Sequence, residues 1–279
     1  MSDSLFDLKN KTALVTGGAR GIGRACAAAL ANAGARVVIV DLDEVAGRKA
    51  AAALQARVGD AIFVRCDVTQ AEQVAAMVAT VVRHFGRLDI AVNNAGTFRA
   101  GLDEQQSEAD WAHVVGINLT GAWLCAQAEM KQMIRQRPTE GKIINIASIM
   151  AHLGHSNAAY DASKAGLIRM TRTLAAQWGR YNINVNSISP GYVSEVFGAA
   201  RSEEERQWLR GATPLGYAQR LADLHGPVVF LASKASDYIT GQDIVVDGGY
   251  CLSKPTMMRP FERAVPPRVS PAQELADEE

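Results

Sequence analysis

The stretch Thr16-Gly17-Gly18-Ala19-Arg20-Gly21-Ile22-Gly23 decides how this chain is read. It follows an apolar run, Thr12-Ala13-Leu14-Val15, and opens an alanine-rich helical stretch ending near Gly34. A strand, a glycine turn and a helix N-terminus in that order build a pocket for a pyrophosphate. Glycine lets the backbone approach the phosphates, and the first-turn N–H groups lack intrahelical partners and can point at the anion. Gly17, Arg20, Gly21, Ile22 and Gly23 are therefore the first candidate contacts.

Such a pocket calls for an acid near the end of the second strand to hold the adenosine ribose. Asp41 stands there, closing Val37-Val38-Ile39-Val40. A carboxylate accepts hydrogen bonds from both ribose hydroxyls and repels a 2′-phosphate, so it selects NAD over NADP. Leu42, where an arginine would suit NADP, agrees; Arg20 in the glycine turn pulls the other way. Asp43 is better placed than Asp41 to cap the following helix. Two more strand ends should line the same crevice. Asp67 and Val68 close the third strand, with Asp67 placed to accept from an adenine amino group. Asn94, Ala95 and Gly96 close the fourth, where small residues let the backbone run close to a ribose.

Strand-like runs at 12–16, 36–40, 61–65, 88–92, 142–147, 184–188 and 244–246 alternate with helical stretches near 22–33, 43–56, 70–84, 107–136, 159–179 and 219–233. The strand runs are nearly continuous in apolar character, as strands buried on both faces should be. This alternation predicts an α/β fold with a parallel sheet wrapped by helices on both sides. The 279 residues carry 48% hydrophobic and 21% charged side chains, and Lys+Arg and Asp+Glu both number 29. A net charge of zero argues against a nucleic-acid or membrane-surface protein. No apolar run is long enough to span a bilayer, and the first eleven residues lack the apolar core of a signal. Cys26, Cys66, Cys125 and Cys251 show neither paired nor metal-like spacing, so free thiols in a reducing, cytoplasmic setting are expected, with no bound metal. The chain reads as one domain over 1–252. Residues 253–279 hold five of the nine prolines and form an arm or tail in which Met257, Met258 and Phe261 offer something to bury.

Tyr160 and Lys164 lie four apart on a predicted helix, hence on one face. A tyrosine hydroxyl has a reference pKa of about 10, so acid–base work near neutrality needs the phenolate favoured by several units. Lys164 and an oxidised nicotinamide ring would supply two positive charges for that; three units correspond to roughly 4 kcal/mol. Tyr250 and Lys254 repeat the spacing, but ahead of Pro255 and off any plausible helix. Ser148, at the end of the fifth strand, can hydrogen-bond a substrate oxygen, and Asn118 could hold a water relaying protons from Lys164.

With these residues assembled, the sequence resembles the short-chain dehydrogenase/reductase family over about 1–250. The resemblance rests on Thr16 to Gly23, Cys66 to Val68, Asn93 to Gly96, Asn118, Ser148, Tyr160 to Lys164, Pro190-Gly191 and Asp247-Gly248-Gly249. It implies a three-layer, doubly wound Rossmann fold with a seven-stranded parallel sheet, commonly in a homotetramer. It also implies Tyr160 as general acid/base, Lys164 binding the nicotinamide ribose, Ser148 positioning the substrate and Asn118 holding the relay water. Pro190, Gly191 and Val193 would flank the nicotinamide carboxamide. The chain departs from the family pattern at Glu195, where a threonine is usual, with Ser194 beside it, and in the tail beyond Leu252.

The pocket for the reacting alcohol should be lined by the segment after Ser148, the loop after Gly96 and the stretch from Tyr192 to Gly211. His152, His155, Ser156 and Asn157 offer donors and acceptors suited to a polyol or sugar, and Tyr192, Phe197, Arg201 and Trp208 lie in the last stretch. His84, His113 and His225 read as structural. The expected reaction is hydride transfer between NAD and a secondary alcohol, most suitably a polyol or sugar. The alternatives are reduction of a 3-oxoacyl thioester with NADPH and oxidation of a steroid or other hydrophobic alcohol. A non-catalytic NAD-sensing or scaffold protein on the same fold is disfavoured because Tyr160 and Lys164 are both present.

Overall fold

Strand burial alternates between two helical layers, and this places the site. The computed structural model describes residues 4–99, 103–154, 157–193 and 202–252. In β1 (Thr12–Thr16) every residue is buried; Ala13 and Val15 face one apolar cluster and Leu14 the other. The same division holds for β2 (Arg36–Asp41), with Val37 and Ile39 against Val38 and Val40. This is the period-two signature of a sheet covered on both faces. The remaining strands are β3 (Ala61–Arg65), β4 (Ile90–Asn93), β5 (Gly141–Ile146), β6 (Ile183–Pro190) and β7 (Asp243–Val246). All seven pair in parallel in the order β3-β2-β1-β4-β5-β6-β7.

The helices in chain order are α1 (Gly21–Asn32), α2 (Glu44–Val58), α3 (Ala71–Phe85), α4 (Glu108–Val115), α5 (Ala122–Arg135), α6 (Ala158–Trp178), α7 (Glu203–Ala212) and α8 (His225–Ala232). Residues of α1, α2 and α8 cover one face of the sheet, and residues of α3, α5 and α6 cover the other. The strand order reverses direction between β1 and β4, and the crevice at their carboxyl ends is where such sheets take ligands.

The predicted strands all appear, shifted by at most a few residues. Two helical expectations need correction. The stretch near 107–136 is α4 and α5 joined by a π-helical turn, Gly116–Gly121, and the stretch near 219–233 is a 3₁₀ turn, Leu221–Leu224, followed by α8. Helix α7 was not anticipated at all. Residues 253–279, with the arm proposed there, lie outside the described residues. So do Lys254, His155, Ser156, and 194–201 with Ser194, Glu195, Phe197 and Arg201. No described helix is long and apolar enough to cross a membrane.

Candidate active site

A cleft of about 680 Å³ opens at the carboxyl ends of β1, β2, β4 and β5. Gly17, Arg20, Gly21, Ile22, Asp41, Leu42, Asp67, Val68, Asn94, Ala95, Gly96, Tyr160 and Lys164 all line it. The glycine turn reaches it through two distinct devices. Gly17 has φ +61°, and a Cβ there would fall 2.8 Å from Asn94 Nδ2 and 3.0 Å from Ala95 Cα. Gly23 is not a wall of the cleft, contrary to expectation. It is packing glycine: a Cβ would sit 2.1 Å from Gly17 O and 2.5 Å from Asn94 Nδ2. Asn94 ties the two strand ends together, donating from Nδ2 to Thr16 O and Gly17 O at 3.0 and 3.1 Å. Arg20 precedes α1 as its N-cap but puts no side chain on the first-turn N–H groups, and no acid stands in that turn. An open N-terminus beside a glycine cradle fits a dinucleotide pyrophosphate.

Asp41 is braced for a further role. Its Oδ2 accepts from the Ala19 N–H and its Oδ1 from the Asp43 N–H, both at 3.1 Å, and each oxygen keeps a lone pair. Asp43 caps α2 as expected, accepting from the Ala46 N–H at 3.0 Å. Arg20 forms an exposed ion pair with Asp43. Asp67 Oδ1 accepts from both the N–H and the hydroxyl of Thr69.

The reacting end is built on the N-terminus of α6. Asn157 caps this helix, accepting from the Tyr160 N–H at 3.0 Å, and its Nδ2 donates to Arg99 O at 2.6 Å. Tyr160 and Lys164 then share a face, with the Lys164 Nζ 5.7 Å from the Tyr160 ring centre. Ser148 caps the turn Ile149–Ala151, accepting from the Met150 N–H, and hydrogen-bonds Tyr160. The Phe98 ring stands edge-on to Tyr160 at 5.5 Å. In the protein by itself, burial pushes the Tyr160 hydroxyl up, opposed by the Ser148 hydrogen bond and reinforced by Asp161. The expected lowering of the tyrosine by Lys164 is not seen. Lys164 is buried, gives a hydrogen to Ile146 O at 2.8 Å, and is itself drawn down to about 8 by burial.

Several expected residues turn out to be engaged elsewhere. Asn118, in the π-helical turn, donates to Thr97 O and Ser163 Oγ and accepts from the Thr97 N–H at 2.7 Å. Its side chain braces the loop after β4 to α6, so a relay water would have to use the remaining lone pair or the backbone. Asn157, expected to face substrate, is the helix cap just described. His152 bonds Asp243 at 2.8 Å through Nε2, and that carboxylate also accepts from Ser187 and Ser189. Pro190, Gly191 and Val193 are not among the cleft walls. Gly191 N–H donates to Val246 O and Gln219 Oε1, and Val193 bridges to Gln219.

Sequence reasoning missed Ile117, Ile146 and Ala147 in the cleft wall; Cys66 and, in the loop after Gly96, Thr97 and Phe98 stand in stretches it had marked without singling them out. It also missed a buried network beneath it. Asn93 Nδ2 donates to Glu129 Oε2 and Asn145 Oδ1, and Asn145 Nδ2 donates to Thr171 Oγ1. Burial pushes the Glu129 carboxyl up to about 8. The signal was available: a lone acid among Cys125, Ala126 and Met133 on the apolar stripe of α5.

The family model described as enoyl-(acyl carrier protein) reductase matches residues 17–251. The short chain dehydrogenase/reductase astE of Aspergillus oryzae is 38% identical over 259 residues, 90% of this chain and 98% of that protein. The 2-dehydro-3-deoxy-D-gluconate 5-dehydrogenase of Escherichia coli is 38% identical over 251 residues, 88% of this chain and 98% of its own. Among solved structures, a gluconate 5-dehydrogenase from Burkholderia cenocepacia, in complex with NADP and tartrate, superposes with a TM-score of 0.84 at 35% identity. That match covers 89% of this chain and 98% of the other.

Proposed function

The chain belongs to the short-chain dehydrogenase/reductase family, and on that premise we propose how its residues divide the work. It is an oxidoreductase of secondary alcohols and ketones that uses NAD or NADP. When bound, the nicotinamide supplies the hydride acceptor or donor. Gly17, Gly21 and Ile22 hold the pyrophosphate against the open end of α1. Asp41 holds the adenosine ribose, Asp67 and Val68 the adenine, and Asn94, Ala95 and Gly96 the middle of the dinucleotide. Tyr160 takes the hydroxyl proton of an alcohol or returns it to a carbonyl. Ser148 orients the substrate oxygen toward that hydroxyl. Lys164 holds a ribose and carries positive charge beside Tyr160, and Asn118 steadies the loop through which protons leave. Pro190, Gly191 and Val193 lie beyond the cleft wall and support the carboxamide end from there.

The observation that carries this reading is that Tyr160, hydrogen-bonded by Ser148, and Lys164 line the same cleft as the glycine turn. NAD is the proposed cofactor. Asp41 has lone pairs to offer ribose hydroxyls, whereas a 2′-phosphate beside it would meet a like charge with Arg20 already paired. The Burkholderia structure with NADP makes that preference the point to test. A polyol or sugar acid is the substrate reading that the two gluconate-type relatives favour, and the family model's description favours an acyl thioester. A cytoplasmic homotetramer completes the proposal. Trp111 on α4 and Trp123 on α5 remain exposed, as a subunit contact would use them, and all four cysteines are free. Tyr160→Phe should lower kcat about a thousandfold or more with either cofactor, while NADH affinity by fluorescence titration stays within threefold. Turnover undiminished in that variant would overturn the assignment.

A further inference from the structure

Resting on that hydride-transfer reading, we propose that the substrate is a secondary alcohol or ketone bearing an apolar ring, seated on an aromatic wall formed by Tyr192, Trp208 and Tyr250. The wall is contiguous with the reacting residue. Tyr160 packs against a small cluster of Ile149, Met150 and Tyr250, joined by Leu153 and Tyr192. The Tyr192 and Tyr250 rings meet edge-on at 5.1 Å, and Trp208 closes the group at 6.2 Å from Tyr250 and 6.4 Å from Tyr192.

Three observations give the wall its meaning. Trp208, on the unanticipated helix α7, remains 49% exposed, and Phe98 on the other flank of Tyr160 remains 36% exposed. Phe98 presents its ring beside Tyr160, and Trp208 adds exposed ring surface at the far side of Tyr192 and Tyr250. Tyr250 is buried and its phenol is pushed up to about 12, chiefly by burial, so the wall carries no charge from it near neutrality. The described polar side chains expected to greet a polyol are committed elsewhere: Asn157 to the α6 cap and Arg99 O, His152 to Asp243. A polyhydroxylated chain buried here would leave hydroxyls without partners, which is costly, whereas a ring gains by covering Trp208 and Phe98. Ser148 and Tyr160 then address the single oxygen that reacts.

The test uses the full chain. Specificity constants are measured for 1-phenylethanol, sorbitol and D-gluconate with NAD and with NADP, in the wild type and in Trp208→Ala. The expected result is at least tenfold preference for the aryl alcohol, and a fall of about tenfold or more in its kcat/KM in Trp208→Ala, mostly through KM, with NADH affinity unchanged. Preferred turnover of sorbitol or gluconate would overturn the substrate class and leave the hydride-transfer reading standing. So would an effect under twofold in Trp208→Ala, which would mean that something other than substrate covers this ring. No turnover of the aryl alcohol while NADH still binds also overturns the class. Tyr160→Phe, run beside it, reports separately: equal turnover in that variant sinks the underlying mechanism as well.

Discussion

The two ends of the cleft hold their shape by different means. At the glycine turn the walls are backbone, brought close by Gly17 and Gly23, and their donors are left open toward the cleft. Around Tyr160 the walls are side chains, and described polar groups nearby are already bonded to protein: Asn118 to Thr97 and Ser163, Asn157 to Arg99, His152 to Asp243. The first end recognises a ligand by what the backbone leaves unmet. The second selects by what remains after its polar groups have been satisfied. Residue type therefore reports function well at the first end and poorly at the second.

The sharpest way to break this contrast is Gly23→Ala. Its methyl would meet Gly17 O and Asn94 Nδ2 at distances no real contact allows, so the turn and the start of α1 must separate. Overpacking of this kind destabilises by about 1–3 kcal/mol. NADH affinity is expected to fall about a hundredfold, because the open N–H groups lose their shared aim. Gly226→Ala, in α8, is the control: a Cβ there meets open space, so affinity should not move and the melting temperature should hold or rise slightly. Equal NADH affinity in the two variants would show that the cradle does not depend on close packing.

Beneath both ends runs the network of Asn93, Glu129, Asn145 and Thr171, which joins β4, β5, α5 and α6. Glu129 has an ordinary value of 4.5 raised to about 8, with burial the main cause and the Asn93 hydrogen bond opposing it. The folded chain thus keeps a proton that the unfolded chain releases. That contribution to stability is complete below pH 4.5 and is lost as pH climbs through the window up to about 8. Its full size is on the order of several kcal/mol. Glu129→Gln keeps an acceptor for Asn93 and removes the titration. The variant's melting temperature should gain on the wild type steadily between pH 5 and pH 8. A constant offset across that range would show that the carboxylate is ionised in the fold.

Asp41→Ala tests whether the backbone end also chooses its cofactor. The ratio of kcat/KM for NAD over NADP should fall about tenfold, as the repulsion of a 2′-phosphate and the ribose bonds go together. The loss should be accompanied by some loosening of the turn, since Asp41 also receives the Ala19 and Asp43 N–H groups. An unchanged ratio would move the choice of cofactor to Arg20 and Leu42.

What was legible in the sequence follows the same division. The seven strands were readable because strands covered on both faces are continuous in Val and Ile, and the glycine turn because close approach leaves few residue choices. The π-helical turn at Gly116–Gly121 was not readable, since its residues keep helical periodicity on either side. Helix α7 was hidden by its composition: Glu203 to Arg210 is mostly charged, and Trp208 and Leu209 are the only apolar residues in that stretch. At the site, Tyr160 and Lys164 were found from their spacing on a predicted helix together with the company of Ser148 and Asn118, since Tyr250 and Lys254 share the spacing alone. The commitments of Asn157 and His152 were not, because their partners, Arg99 O and Asp243, lie 58 and 91 residues away. Burial rather than neighbouring charge dominating Tyr160 was equally invisible, since spacing carries no measure of desolvation.

Asn157 offers the finest cut between the two ends. Its oxygen caps α6 and its nitrogen holds the loop after β4 through Arg99 O, so one residue serves helix and pocket at once. Asn157→Ala removes both bonds and should lower stability by about 1–2 kcal/mol. Asn157→Asp restores the cap, adds charge in the favourable first turn, and still cannot donate to Arg99 O. Stability should return only in part in the aspartate variant, whose second oxygen would lie buried against the Arg99 carbonyl, while the KM for the alcohol stays raised by a few fold in both. NADH affinity should hold within twofold throughout. If NADH affinity weakens in step with KM, the loop after Gly96 transmits strain to the dinucleotide, and the two ends of the cleft are one mechanical unit.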